Sequence, residues 1–189
     1  VVEAFERLYA ARLGEHVQRL AEHADQAEDW ARAARYHKLA SVRASERWAN
    51  LQAIAHIDRG IDLASRLPPG PERDELDIDL RLIALAPMFP VGSHERLVGL
   101  LREAERIAEQ LGDRPRLARV YSQLGTALWA HGGYDAAMLA AERAYALAKE
   151  QGDFALSTAA RYCVGMIQHG RGQLPAARKA LQQVIDALP

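Results

Sequence analysis

Little in this sequence favours a sheet. Val, Ile and Thr together number 19, against 36 Ala and 24 Leu in 189 residues, and aromatics make up only 6%. Strands draw on β-branched and aromatic side chains and helices on Ala and Leu, so the expected fold class is all-α. Cysteine is nearly absent. Cys163 alone cannot close an internal disulfide or build a thiolate metal cluster, which fits a reducing compartment and makes the cytoplasm the expected location. An excess of one charge is also missing: 24 Lys plus Arg stand against 25 Asp plus Glu, a net charge of −1. With no long-range field to hold them, neither nucleic acid nor an anionic membrane is expected as a partner. The longest uncharged run, Val120 to Tyr134, has fifteen residues and includes three glycines. A membrane-spanning helix needs about 20 apolar residues, so none is expected. The chain opens Val1-Val2 without an initiator Met or a basic-then-apolar leader, and a segment of a longer protein is expected.

Sequence motifs for chemistry are missing too. Gly-x4-Gly-Lys-Ser/Thr, Gly-x-Gly-x2-Gly and Gly-x-Ser-x-Gly do not occur, which removes the common phosphate cradles and the serine elbow. His16 and His23 lie seven residues apart, close to two helical turns. No His-x3-His pair or adjacent carboxylate set joins them, so they read as helix histidines and no metal or cofactor is expected. Cys163 has no catalytic signature around it and reads as packing. The acidic run from Glu72 to Asp79 lacks the glycine and terminal Glu of a calcium loop, and reads as a helix start whose acids complement the macrodipole. Arg96, Arg102 and Arg106, interleaved with Glu95, Glu103, Glu105 and Glu109, read as an ion-paired helix face. No catalytic residue is expected.

What the chain does contain is a repeat. Gln110-Leu111-Gly112-Asp113 aligns with Glu150-Gln151-Gly152-Asp153 at an offset of 40. At the same offset Leu124-Gly125 falls on Val164-Gly165, Gly132 on Gly172, Ala137 on Ala177 and Ala141 on Leu181. Leu97, Leu101 and Ala104 extend the register one unit back, and a spacing of 44 brings in Ala53, Ile57 and Gly60 across the turn Pro68-Pro69-Gly70-Pro71. Within a unit the apolar residues recur at three and four: Leu117, Val120, Tyr121, Leu124 and Leu128, then Tyr134, Ala137, Met138, Ala141, Ala144, Tyr145 and Ala148. His131-Gly132-Gly133 separates the two runs, so each unit is a helical hairpin. Between units, Gly sits just past a helix end and Asp at the next N-cap. The spacing predicts helices over 2–12, 14–27, 30–46, 49–67, 73–87, 94–111, 114–131, 134–151, 154–170 and 173–188. They form five hairpins in a single domain, 1–189, divided at about 1–28, 29–70, 71–112, 113–152 and 153–189.

Tyr121-x2-Leu124-Gly125-x2-Leu128, followed by Gly132, Tyr134, Ala137, Ala141 and Ala144, resembles the tetratricopeptide repeat (TPR) signature. The last unit keeps Val164-Gly165, Gly172, Ala177 and Leu181 but has Arg161 in place of the large first residue and Gln168 where Leu128 stood. In the 71–112 unit Ala84-Leu85 replaces Leu-Gly, and Pro87 and Pro90 end the first helix early. The resemblance implies a right-handed α-α superhelix, a TPR-like solenoid of about ten antiparallel helices. Ala21-Glu22-His23-Ala24, Trp30 with Ala33-Ala34-Arg35-Tyr36, and Asn50-x2-Ala53-Ile54-Ala55-His56-Ile57 are similar to the start of the TPR tail in bacterial proteins that join a nucleotide cyclase or other effector to a STAND-type ATPase. That likeness implies a sensor or docking arm.

In TPR arrays the first helix of each hairpin lines a concave groove. Counting outward from Gly125 as a buried position puts Arg119, Ser122, Thr126 and Trp129 on that face. The next unit contributes Ala159, Tyr162, Met166 and His169, and the preceding one Asp79, Leu82, Ala86 and Phe89. The apolar members, Leu82, Phe89, Trp129, Tyr162 and Met166, are costly to leave in water and point to a protein ligand. The Lys and Asn pair with which some TPRs grip a carboxylate tail is replaced here by Ser122 and Thr126. The reading is a noncatalytic interaction module that binds a protein segment or a neighbouring domain of the same protein. Two alternatives stand beside it: a small-ligand receptor or enzyme centred on Arg119, Tyr162 and His169, and self-association into a homodimer.

Overall fold

The computed structural model describes residues 13–187, and the helix expected over 2–12 lies outside them. All regular structure among the described residues is helical. In chain order the helices are α1 Leu13–Gln26, α2 Trp30–Glu46, α3 Asn50–Ser65, α4 Pro71–Leu82, α5 Leu85–Met88, α6 His94–Leu111, α7 Arg114–His131, α8 Tyr134–Gln151, α9 Phe154–Gly170 and α10 Leu174–Ala187. α2, α6, α7, α8 and α9 have the ends expected from the apolar spacing. The helix expected over 73–87 does not run through. Pro87 has no N–H to give the Ile83 carbonyl, and its ring would crowd that oxygen, so α4 stops at Leu82 and the chain restarts as the short α5. Pro87 then sits in a first turn, where a missing donor leaves nothing unsatisfied.

Most helices end in one way. A residue at positive φ turns the chain, and the next N–H reaches back five residues to a helix carbonyl, the closure of a Schellman motif. Gly112, Gly132, Gly152 and Gly172 hold φ between 65° and 89°. The matching bonds are Asp113 N to Ala108 O at 3.0 Å, Gly133 N to Leu128 O at 2.9 Å, Asp153 N to Ala148 O at 2.9 Å and Gln173 N to Gln168 O at 2.9 Å. Twenty residues separate each turn from the next. Earlier in the chain the same closures occur at Asp29 N to Ala24 O, 3.0 Å, and Ala49 N to Ala44 O, 2.9 Å. There the left-handed residue is not glycine but Glu28, φ 57°, and Trp48, φ 60°. The expected N-caps form: Asp113 accepts from Arg116 N at 3.0 Å and Asp153 from Leu156 N at 2.9 Å.

Contacts divide the chain into two compact units, Val1–Gly92 and Ser93–Pro189, and the expected 71–112 hairpin falls partly in each. In the first unit α1 packs on α2, α2 on α3, and α3 on α4 and α5. Leu20, Ala24, Ala33, Ala34, Leu63, Leu76 and Leu80 form its core; each fully buried Leu contributes about 2 kcal/mol. Three acids of the 72–79 run are ion-paired: Arg73 holds Asp74, Arg81 holds Asp77 at 3.0 Å, and Lys38 of α2 holds Asp79 at 3.0 Å.

A polar seam crosses this unit. Arg59 grips Asp25 with two hydrogen bonds of 2.8 and 2.5 Å. His37 Nδ1 meets His56 Nδ1 at 3.0 Å, so one ring donates and the other accepts. His37 is 7% exposed, and its Nε2 has no hydrogen-bond partner, lying 3.9 Å from Asp25. Burial, with His56 adding to it, pushes the His37 imidazole down to about 4 against the opposing pull of Asp25. Burial lowers His56 as well, and the Arg59 hydrogen bond holds Asp25 below its ordinary value.

In the second unit α6 packs on α7, α7 on α8, α8 on α9 and α9 on α10, and α7 also touches α9 directly. Alanine permits these approaches: Ala137, Ala140, Ala141, Ala144, Ala148, Ala177 and Ala180 are all buried. At Gly125 a Cβ would lie 3.4 Å from Ala137 O and from Ala141 N, both backbone atoms of α8, and 3.4 Å from Cys163 Sγ. Arg102–Glu105 and Arg106–Glu103 pairs line the exposed face of α6.

His37 is neutral when folded and titrates near 6.5 when unfolded, so its contribution to stability is complete above pH 6.5 and is lost as pH falls towards 4. The loss amounts to about 3 kcal/mol. Urea unfolding of the first unit between pH 7 and pH 4 reads this slope, and His37→Gln flattens it. At Gly125 the helix-propensity gain of Ala, about 1 kcal/mol, offsets a tight contact, so Gly125→Ala changes stability by less than about 1 kcal/mol. Gly125→Leu has no space to enter and costs about 3 kcal/mol. Denaturant midpoints of the two variants check this.

Candidate partner-binding site

The α7 face carries Arg119, Ser122, Thr126 and Trp129 at spacings of three, four and three, and α9 repeats it with Tyr162, Met166 and His169. α7 and α9 are in contact, and each carries one of these columns. Arg119 and His169 are exposed, Tyr162 is 52% exposed, and Ser122, Thr126, Trp129 and Met166 are half-buried. The seven form a mixed surface of aromatic, thioether and cationic groups without a carboxylate among them. Thr126 Oγ1 donates to the Ser122 backbone carbonyl at 3.2 Å, turning the Thr126 hydroxyl towards its own helix.

The remaining two expected residues lie in the first unit. Phe89 is half-buried just after α5. Leu82 is 7% exposed at the end of α4 and is interior packing, not open surface. Carrying the register of α7 back by one unit misplaces it because Pro87 interrupts the helix at Ile83-Ala84. Nor do Arg119, Tyr162 and His169 form an enclosed polar centre, since each is open to solvent.

Cys163 lies behind this surface. It is 6% exposed, packed against the space left by Gly125, and burial pushes its thiol up while a Thr126 hydrogen bond acts the other way. A thiol held protonated and covered is a packing group.

On the other side of α7 and α9 the chain builds two corners forty residues apart. In the first, buried Tyr121 donates to Glu109 Oε1 at 3.1 Å and accepts from Arg143 at 3.2 Å, with the Arg143 guanidinium 5.4 Å from its ring. Leu124 and Leu128 fill the space beside it. In the second, Arg161 takes the place of Tyr121. Its guanidinium stacks 4.7 Å from the Tyr145 ring and donates to the Tyr145 hydroxyl, with Lys149 Nζ 5.8 Å from the same ring. Val164, Gln168 and Lys179 stand where Leu124, Leu128 and Leu139 stood, and a cavity of about 400 Å³ opens. In the sequence Arg161 and Gln168 depart from the repeat but carry no motif that marks a site. Those departures were the signal.

Residues 89–150 match the tetratricopeptide repeat family model. The matched stretch contains α6, α7 and nearly all of α8, including the Tyr121, Leu124, Gly125 and Leu128 signature. No curated protein matches the sequence. Among solved structures, the apo form of RapI is similar over 90% of this chain at 10% identity, with a TM-score of 0.78. A Rap protein complexed with Competence and Sporulation Factor is similar over 92% at 19% identity, with a TM-score of 0.73. The chain spans 61% and 47% of those two proteins' lengths. A Podosopora anserina putative kinesin light chain with nearly identical TPR-like repeats is similar over 98% of this chain and 93% of its own, at 15% identity and a TM-score of 0.69. The fold is all-α and of the TPR-like solenoid class. Among the described residues no helix is long and apolar enough to cross a membrane, and no group of His, Cys, Asp and Glu is placed to hold a metal ion.

The buried Cys163 thiol is shielded from reagents. At pH 8 the folded protein reacts with a disulfide thiol reagent at least about 100-fold more slowly than the urea-unfolded chain, since both access and thiolate fraction are reduced. Absorbance-monitored labelling measures the two rates, and equal rates would show that Cys163 is not covered.

Proposed function

We propose that the chain is a noncatalytic TPR interaction module that docks a protein segment on the paired faces of α7 and α9. The observation that carries this reading is that the two touching helices α7 and α9 keep Trp129 and Met166 half-buried and Tyr162, Arg119 and His169 exposed. Aromatic and thioether groups at the rim of a repeat face gain most when a partner removes them from water. The family match over 89–150 and the likeness to a Rap protein that binds Competence and Sporulation Factor both support a protein or peptide ligand. Within this reading the module serves as the sensor or docking arm of a bacterial cytoplasmic protein that also carries a STAND-type ATPase or nucleotide cyclase. Its partner there is a neighbouring domain of the same protein. The resemblance of Trp30, Ala33-Ala34-Arg35-Tyr36 and Asn50-x2-Ala53-Ile54-Ala55-His56-Ile57 to such tails supports this finer assignment. The 1–189 chain acts in it as one solenoid.

Peptide display against the protein, followed by binding measurements on the selected sequences, tests the docking face. Trp129→Ala and Tyr162→Ala each weaken binding by more than about 1 kcal/mol, a factor of at least about 5, while far-ultraviolet circular dichroism stays unchanged. Selected peptides that bind both variants as tightly as the parent would place the docking surface elsewhere. Loss of helicity in Trp129→Ala would make that residue core.

A further inference from the structure

The second corner, on the α8/α10 side of the molecule, has the composition of a small-molecule site and plays no part in the docking face. Its cavity of about 400 Å³ is lined by Glu142, Tyr145, Arg161, Gln168, Lys179 and Gln183, with Val164, Ala176 and Ala180 as apolar walls. That volume is in the range of small-ligand pockets, and the hollow is open to solvent, with Glu142, Lys179 and Gln183 exposed at its mouth. A second depression of about 150 Å³ shares Tyr145, Arg161 and Gln183, so the Arg161–Tyr145 stack forms a wall common to both. The preceding hairpin closes the equivalent space with Tyr121, Leu124 and Leu128. Here the corresponding residues are Arg161, Val164 and Gln168, so an apolar plug has been exchanged for room and polar groups.

Three properties of the lining define what fits. Arg161 is held in place by Tyr145, which fixes a guanidinium fork at one end of the cavity. Lys179 adds a second cation from α10, against Glu142 as the one acid in the lining. Gln168 Oε1 is buried with no hydrogen-bond partner, an acceptor that calls for a donor. Arg161 and Gln168 are separated by two turns of α9, about 10 Å along the axis. An extended dipeptide, about 7 Å long, bridges that span with the reach of the two side chains.

We infer that this corner cavity binds a small organic carboxylate that also carries an N–H donor, of about dipeptide size. The carboxylate sits on Arg161 and Lys179, and the N–H donates to Gln168 Oε1. The probe pair is alanyl-leucine and its carboxy-terminal amide, which differ in the charge at issue and little in shape. In ¹H–¹⁵N chemical-shift titrations the acid gives saturable shifts confined to the residues around this corner, with Kd below about 1 mM, and the amide binds at least about tenfold more weakly. Lys179→Gln weakens the acid about tenfold with Tm unchanged. Gln168→Leu, which installs the residue of the preceding hairpin, abolishes binding and keeps the helix content. Equal binding of acid and amide overturns the inference. So do shifts centred on α7 rather than on this corner, or no saturable shift up to about 10 mM.

Discussion

A single backbone constraint sets the geometry of this molecule: the residue at positive φ that ends a helix and lets the following N–H bond back across the turn. From Gly112 to Gly172 it recurs every twenty residues, and each recurrence fixes where one helix stops and the next begins. Helix length, antiparallel pairing and the stacking of α7 beside α9 all derive from that interval. At Glu28 and Trp48 the same closure is made without glycine, at a conformational cost of about 1 kcal/mol or more each. The hydrogen bonds at Asp29 and Ala49 and the packed seam between α1, α2 and α3 hold those turns against it.

The interval also decides what the sequence reveals. Helices bounded by Gly and Asp were legible to the residue, because both ends carry a chemical marker. α4 was not: its apolar spacing continues through 83–87, and only the clash between Pro87 and the Ile83 carbonyl breaks it. Leu82 was misassigned for the same reason, since a register carried over from α7 assumes an unbroken helix. The His37–His56 contact left no mark in any local pattern, because nineteen residues and a turn separate two rings that meet only when α2 and α3 pack. The corner cavity was half legible. Arg161 and Gln168 stood out against the repeat, but Lys179 acquires meaning only when α10 folds back on α9.

Packing and recognition are divided between different faces of the same helices. Small residues, Gly125 and the alanines above all, bring α7, α8 and α9 close enough that the backbone itself forms the interior. Larger side chains stand at other positions of the same helices, Tyr162 exposed and Trp129 and Met166 half-buried. A fold shared with proteins only 10% to 19% identical tolerates this because its architecture depends on spacing and side-chain volume, while partner choice rests on a few exposed groups.

The two corners have a consequence for assembly. Tyr121 is matched to Glu109 and Arg143, whereas forty residues later Arg161 is matched to Tyr145. Hairpins with equivalent backbones therefore carry different keys. A 114–151 hairpin stacked where 154–187 belongs would set Tyr121 beside Tyr145 and Lys149, leaving its hydroxyl without the Glu109 carboxylate of α6. In an array whose units are otherwise alike enough to exchange, these side-chain pairs record the order of the units and discourage neighbouring molecules from trading them.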